Sequence, residues 1–142
     1  MSALRISNGD NFLEMGLAIE EDHTLPSHGD AYITLKVQSG GFAGHNDLWA
    51  QAESMSAFCR ALVALNKTLK GEALLKSISP GELVLKVFSC NSRGGLAVEG
   101  STGYHIIGEG REYWHAVSFG FEFEPTQLSA LVQLPWVKRY AP

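Results

Sequence analysis

The sequence predicts an α+β fold, a two-layer structure in which two helices pack on one face of a six- to seven-stranded, mostly antiparallel sheet. Apolar residues recur at every second position over most of the chain, which is typical of half-buried strands. Over one long segment they recur at every third or fourth position, which is typical of an amphipathic helix. Turns that contain glycine separate successive strands, so neighbouring strands are expected to run antiparallel. The expected order of elements is β-β-β-α-β-β-β-α.

The first three strands follow from this alternation and are expected at residues 12–20, 30–38 and 42–51. A polar loop at residues 21–29 separates the first strand from the second. The turn Ser39-Gly40-Gly41 joins the second strand to the third, because glycine adopts a positive φ without a steric clash of a Cβ atom.

A long helix follows the third strand. Its N-terminal cap is expected at Ser54, whose hydroxyl can accept a hydrogen bond from an N–H group of the first turn. Lys67 and Lys70 suit the negative end of the helix dipole, and Gly71 is expected to end the helix. The apolar face of the helix consists of Met55, Phe58, Ala61, Leu62, Leu65 and Leu69.

Alternation returns in the second half of the chain. It marks strands around residues 83–87 and 96–98, a further start at Tyr104, and a last strand at residues 113–124. Whether the segment from Tyr104 forms a strand of its own decides between six strands and seven. Pro125 suits the first turn of a second helix, which Pro135 ends, and the tail at residues 136–142 is expected to be partly loose.

The composition is that of one acidic globular domain, expected to span residues 1–142 with its core at about residues 12–134. A net charge of −4 disfavours nucleic acid as a partner, because phosphate binding needs clustered Lys and Arg. No apolar run approaches the ~20 residues that cross a bilayer, so no membrane partner is expected. Residues 1–9 lack the apolar stretch of a secretory signal, and the predicted location is therefore the cytoplasm.

One loop has a spacing that resembles a metal site. His23 and His28 lie there with Asp22 and Asp30 nearby, and histidine and carboxylate side chains are common metal ligands. Polar residues are also expected in a loop for solvation alone. We therefore predict that the chain has no metal site.

The cysteines and carboxylates lack the neighbours that catalysis requires. Cys59 lies beside Phe58 in the helix, which favours a small buried apolar residue over an activated thiolate. Cys90 ends a strand without a charged neighbour in the sequence. Glu122 and Glu124 have the spacing of a solvated strand face, whereas acid–base catalysis needs one carboxyl group in an apolar pocket. The sequence therefore predicts no catalytic residue, no cofactor and no enzymatic activity.

The outward sheet positions hold aromatic residues interleaved with charged ones, a composition that can anchor a protein partner. The alternative is that Trp49, Phe88 and Trp114 pack on one another, or under loops, as cross-strand pairs. The candidate partner-binding residues are Tyr32, His45, Asp47, Trp49, Phe88, Trp114 and Glu122.

One set of glycine turns and apolar positions recurs in the layout of a known family. It consists of Ser39-Gly40-Gly41-Phe42-Ala43-Gly44, Trp49, the helix residues Phe58, Leu62, Leu65 and Leu69, Gly71-Glu72-Ala73, Leu83, Leu85, Val87, residues 96–100, residues 117–123, Leu128 and Leu131. In these positions, and over about residues 12–134, the chain resembles the WapI-like immunity proteins, a family of small bacterial proteins. The resemblance implies a non-catalytic protein that binds and neutralises a cognate toxin, with no catalytic residues to carry over.

Three functions remain open from the sequence. The leading hypothesis is a cytoplasmic immunity protein that occludes a toxin, in which case an acidic charge speeds encounter with a basic partner. The second is a small-molecule-binding protein or minor enzyme with a pocket at the sheet edge, for which His105, His115 and Glu112 are the candidate polar groups. The third is self-association through a sheet face or an edge strand. The sequence is compatible with a monomer and with a homodimer.

Overall fold

The computed structural model describes residues 3–142. Residues 1 and 2, which belong to the segment 1–9 that was assessed as a secretory signal, lie outside the described residues. The described chain forms eight strands and three helices. In chain order these are β1 (Leu4–Asn8), β2 (Asn11–Ile19), β3 (Ala31–Ser39), β4 (Phe42–Ala50), α1 (Ala52–Thr68), β5 (Glu72–Lys76), β6 (Leu83–Ser89), β7 (Leu96–Ile107), β8 (Glu112–Phe123), α2 (Pro125–Leu131) and α3 (Pro135–Tyr140).

The strands form two separate antiparallel sheets. The first has the order β1-β2-β3-β4 and the second the order β5-β6-β7-β8, so each sheet is a simple meander. The α+β class and the antiparallel pairing are confirmed, but the single sheet of six to seven strands and the count of two helices are wrong. Alternation shows that each strand buries one face, and it carries no information on which strands share a sheet.

Strand β4 crosses one end of the second sheet. Gly44 faces the side chain of Val117 in β8, and the Asn46 amide donates to Thr102 Oγ1 in β7 at 3.0 Å. The carbonyl of Trp49 accepts from the N–H of Ile78, just beyond β5, at 2.8 Å. These contacts meet the strands of the second sheet one after another, so the two sheets form a corner at β4.

Helix α1 has the apolar face that the sequence predicts, and Met55, Phe58, Leu62 and Leu65 are buried. Its start differs, because the helix begins at Ala52 rather than after Ser54. The carboxylate of Asp30 accepts a hydrogen bond from the Ala52 N–H at 2.8 Å, so a residue from the loop between β2 and β3 caps the helix.

Three elements of the described chain are absent from the sequence prediction. These are β1, β5 and α3. The tail is ordered rather than loose, because Trp136, Val137 and Tyr140 bury their side chains in the core. The segments predicted at residue 96 and at Tyr104 form one continuous strand, β7. A single hydrophobic cluster joins both sheets to all three helices.

The helices of the described residues were also considered as membrane spans. None of them combines the length and the apolar character that crossing a bilayer requires.

Candidate functional site

Four of the predicted partner-binding residues lie on the outer face of β3 and β4. Tyr32 pairs with Trp49 across the two strands, and their ring centroids are 5.3 Å apart. Asp47 and His45 follow on β4 with the same orientation, since side chains alternate along a strand. Partial desolvation of the ring and a hydrogen bond to the Asp47 carboxylate raise the pKa of Tyr32.

Trp114 reaches the same region from the second sheet. Its indole covers Gly103 and Gly81, where a Cβ atom would stand 2.3 and 3.3 Å from the ring. The segment at residues 77–82 lies between Trp114 and Trp49, because Ile78 is bonded to the Trp49 carbonyl. Tyr32, Trp49, Ile78 and Trp114 therefore form one surface around this segment, which we call the aromatic strip.

Phe88 and Glu122 lie at the other end of the second sheet. Both pair with Ala97 of β7, one from each side. Trp114 pairs with His105, which lies eight residues further along β7 than Ala97. At the usual rise of a strand these two positions on β7 are about 26 Å apart. Lys86 lies 4.6 Å from the Phe88 ring centroid, and Cys90 Sγ lies 3.4 Å from Glu122 Oε1. The structure thus separates these two residues from the aromatic strip.

The two exposed tryptophans each pair with an aromatic ring on the neighbouring strand. Trp49 packs on Tyr32, and the centroid of the Trp114 ring lies 4.8 Å from that of His105. Phe88 contacts Lys86 instead. Cross-strand pairing therefore accounts for one side of each tryptophan, while 40% of Trp49 and 44% of Trp114 stay exposed.

Five of the ten exposed large apolar residues in the described chain lie at the far end of the β7–β8 hairpin. Residues 104–115, which we call the β-arm, continue the two strands beyond the core and carry exposed side chains on both faces. Its exposed large apolar residues are Tyr104, Ile106, Ile107, Tyr113 and Trp114. Only Trp114 was among the predicted site residues. The signal in the sequence is that apolar residues occupy both parities on both strands, next to the Gly108–Gly110 turn, so that neither face is polar.

The two faces of the β-arm have different surroundings. Tyr104, Ile106, Tyr113 and His115 continue the core-facing side of the second sheet, since they alternate with the same parity as the buried Thr102. We call these four residues the inner platform. Near its base, an open cleft of about 260 Å³ lies between the platform and residues 43–46 of β4.

The polar groups predicted for a sheet-edge pocket do not converge. His105 Nδ1 and Glu112 Oε2 lie 3.3 Å apart on the outer face of the β-arm. His115 lies on the inner platform, where its ring centroid is 5.7 Å from that of Tyr104. The cleft instead brings His115 near His45 and Asn46, a pairing of residues that the sequence does not reveal.

The cysteines and the remaining histidines lie outside this cleft. Burial raises the pKa of the Cys59 thiol to about 12, and desolvation together with the Glu122 carboxylate raises the pKa of Cys90. The rings of His23 and His28 meet edge to face at 6.1 Å on the predicted loop. Within residues 3–142 no group of three or more histidine, cysteine or acidic residues has an arrangement that could hold a metal ion.

The described surface thus offers aromatic and aliphatic contacts on a protruding hairpin and a shallow cleft beside it. Such a surface suits binding, because large rigid side chains supply contact area with little loss of conformational entropy. Comparison of the chain with family models, with curated proteins and with solved structures gives no match.

Proposed function

We propose that the chain is a non-catalytic protein-binding module that holds its partner with the β-arm and the aromatic strip. The observation that carries this proposal is the exposure of five large apolar side chains on a hairpin that extends beyond the core. Ile107, at the end of β7, is 78% exposed. Large apolar side chains clustered on the surface of a folded chain mark interaction sites.

The residues present are those that dominate protein interfaces. Tyrosine and tryptophan are enriched among hot spots, where truncation to alanine costs about 2 kcal/mol or more of binding energy. Tyr113 and Trp114 stand on opposite faces of the β-arm, because side chains of consecutive strand residues alternate. A partner that encloses the arm would therefore contact both.

Within this class we propose a bacterial immunity protein that resides in the cytoplasm and occludes a cognate toxin. The sequence resemblance to the WapI-like family supports this choice. The net charge of −4 supports a basic partner, since opposite charges accelerate encounter. Occlusion needs no catalytic group in the immunity protein, only a surface that covers the toxin.

The test is co-expression with toxins encoded beside the gene, read as survival of the host. Wild-type chain is expected to protect against one of them. Tyr113→Ala and Trp114→Ala are each expected to weaken binding of that toxin by about 30-fold, the equivalent of 2 kcal/mol. Leu74→Ala, which removes an exposed apolar residue of β5 on the second sheet, is the matched control. Failure to protect against any of the neighbouring toxins would contradict the proposal.

A second candidate is a small-molecule-binding protein that uses the cleft at the base of the β-arm. The convergence of His45, Asn46 and His115 favours it, although the cleft volume of about 260 Å³ lies just below the range of common ligand pockets. Titration of the isotope-labelled chain with a library of small polar compounds tests it. Saturable shifts confined to the amides of these residues would support a ligand site, and an unchanged spectrum would exclude it.

A further inference from the structure

We infer that the cleft at the base of the β-arm binds a small, neutral, planar ring that contains a cyclic amide. The inference rests on the second candidate function above, the binding of a small molecule in this cleft, and it names the class of ligand. Three features lead to it: an open pair of backbone groups at His45, two aromatic rings next to this pair, and a lining without carboxylate, ammonium or guanidinium groups.

The first feature is the backbone of His45 in the edge strand β4. The Trp49 carbonyl accepts from the N–H of Ile78, so it points away from β3. Residues that point outward alternate along an edge strand, and the pairing of β3 with β4 is continuous, so the N–H and C=O of His45 point away from β3 as well. Neither group has a hydrogen-bond partner among residues 3–142. The two groups stand side by side, as they do where antiparallel strands exchange both hydrogen bonds.

The open stretch of this edge is short. Asn46 Oδ1 accepts the Asp47 N–H, and Ile78 occupies the Trp49 carbonyl. In the other direction β4 begins at Phe42, directly after the turn that joins it to β3. The edge therefore suits the paired hydrogen bonds of a small molecule better than the ladder of an added strand.

The position of His45 above the second sheet follows from its two neighbours. A Cβ atom on Gly44 would stand 2.9 Å from Val117 of β8, and the Asn46 amide donates to Thr102 Oγ1 of β7. Since one neighbour lies over β8 and the other over β7, His45 lies between these two strands.

The second feature is the pair of rings next to the His45 backbone. On the far side of β4, strand β3 approaches β8 at Gly120, which is bonded to Ser39, so the open edge of β4 faces the β-arm. Tyr104 and His115 are a directly opposed pair at the base of the inner platform, and they line the same cleft. Their ring centroids are 5.7 Å apart and their planes differ by 35°. Such faces are stacking surfaces for another planar ring.

The third feature is the chemistry of the lining. Among the described residues that line the cleft there is no Lys, Arg, Asp or Glu. An ionised ligand would lose part of its hydration there without gaining a fixed countercharge, which favours a neutral ligand. The volume of about 260 Å³ is below the range of pockets for drug-sized molecules and suits a ligand of a single ring.

One chemical class fits all three features. A cyclic amide presents its N–H directly beside its C=O, so it can donate to the His45 carbonyl and accept from the His45 N–H at the same time. When the ring is planar and unsaturated, it can also stack on Tyr104 and His115. Pyridones and pyrimidinones belong to this class.

The test is an NMR titration of the isotope-labelled full chain with 2-pyridone as the probe. Saturable shifts are expected at the amides of His45 and Asn46 and at the rings of Tyr104 and His115. N-methyl-2-pyridone keeps the ring and the carbonyl but loses the donor, and 2-piperidone keeps the amide but loses the aromatic ring. Each is expected to bind at least about 10-fold more weakly than 2-pyridone. If N-methyl-2-pyridone binds as tightly as the parent, or benzoate binds more tightly, the inference is wrong.

Two variants of one residue test the backbone contact. His45→Pro and His45→Ala both remove the imidazole, and only proline also removes the N–H, a change that an edge strand tolerates. His45→Pro is expected to bind 2-pyridone at least about 10-fold more weakly than His45→Ala. Equal binding by these two variants would overturn the inference.

A second pair of variants tests the stacking surface. Tyr104→Ala removes an exposed ring from the cleft and is expected to weaken binding of 2-pyridone by about 10-fold. Phe88→Ala, which removes a ring at the other end of the second sheet, is the matched control and should bind like wild type. Equal affinities of the two variants would contradict stacking at Tyr104.

The outcomes separate the ligand class from the small-molecule function. If 2-pyridone causes no shift while another compound of the library shifts the cleft amides, the cyclic amide is wrong and the small-molecule function stands. If no compound changes the spectrum, both are wrong.

Discussion

Asn46 joins the two sheets through the donors of one side-chain amide. Its Nδ2 lies 2.9 Å from the carbonyl oxygen of Gly103 and 3.0 Å from Thr102 Oγ1, and the Glu82 carbonyl lies at 3.4 Å. Its Oδ1 accepts from Asp47 N–H. Since the surrounding atoms on one side are all acceptors, the amide orientation is fixed and no carboxylate can replace it without loss.

Asn46→Asp is expected to lower the free energy of unfolding by about 2–3 kcal/mol, because a carboxylate would face two carbonyl oxygens. Urea denaturation followed by circular dichroism measures the change. Asn91→Asp is the matched control, since Asn91 Oδ1 accepts from Arg93 and Gly95 and an aspartate retains both bonds. Equal destabilisation by the two substitutions would show that the corner does not depend on the Asn46 amide donors.

Cys59 and Tyr140 make stability depend on pH at the alkaline end. Burial raises the pKa of Cys59 and of Tyr140 to about 12 each. The neutral forms are therefore favoured by the folded chain, and the unfolded chain loses these protons first. The contribution of these two groups to stability is therefore lost progressively as the pH rises from about 8, just below the ordinary pKa of a thiol, toward 12.

Between pH 7 and pH 10.5 the wild-type chain is expected to lose about 2 kcal/mol of unfolding free energy through Cys59. Cys59→Ala removes this contribution, so its loss over the same pH range should be smaller by that amount. Urea titrations at the two pH values, under reducing conditions, give the comparison. Cys90→Ala removes a thiol whose pKa is raised less than that of Cys59, so this variant should retain most of the wild-type loss. An identical pH dependence in the Cys59 variant and wild type would contradict the assignment.

At the scale of elements, the spacing of apolar residues predicts those helices and strands that depend only on neighbours in the sequence. Helix α1 and strands β2, β3 and β4 follow from their own apolar positions. Strand β5 has two buried residues directly after the helix, which is too short a pattern to separate from the helix end. The helix start depends on Asp30, 22 positions upstream, and such a contact exists only once the chain has folded. The burial of Trp136 in α3 likewise depends on contacts that exist only once the chain has folded.

Helix α2 covers the edge of β1 through Gln127, which acts as a strand backbone would. Gln127→Glu is expected to lower the free energy of unfolding by about 1–2 kcal/mol, because the carboxylate cannot donate to the Ser7 carbonyl. Thermal unfolding measures this loss. Gln133→Glu, on an exposed position beyond the same helix, is the control and should unfold like wild type. A Gln127 variant as stable as this control would show that the edge needs no cover.

At the scale of the whole molecule, the site is harder to predict than the fold. The sequence identifies Tyr32, Trp49 and Trp114 as outward residues, and the corner between the sheets brings them together. The sequence cannot show that β7 and β8 extend beyond the core. How much of a strand is buried depends on which other elements pack against it. Phe88 and Glu122 satisfy the same parity rule as Trp114, yet parity gives no position along the strand.

Shortening the β-arm separates binding from stability. Replacing residues 105–114 by Asn-Gly lets Tyr104 and His115 flank a tight turn, a favoured geometry for this dipeptide. The unfolding free energy is expected to change by no more than about 1 kcal/mol, because the removed side chains lie outside the core cluster. Urea denaturation measures stability, and binding of the toxin is expected to be lost. Undiminished binding by the shortened chain would place the interface elsewhere.

The three tryptophans occupy different environments, so their fluorescence is expected to respond oppositely to unfolding and to partner binding. Trp136 is 1% exposed, so unfolding moves its indole into water and shifts its fluorescence emission to longer wavelength. Trp49 and Trp114 already stand partly in water, and a partner that covers the aromatic strip would shift their emission to shorter wavelength. Association and unfolding therefore carry opposite spectral signs, and the unlabelled chain reports which of the two is taking place.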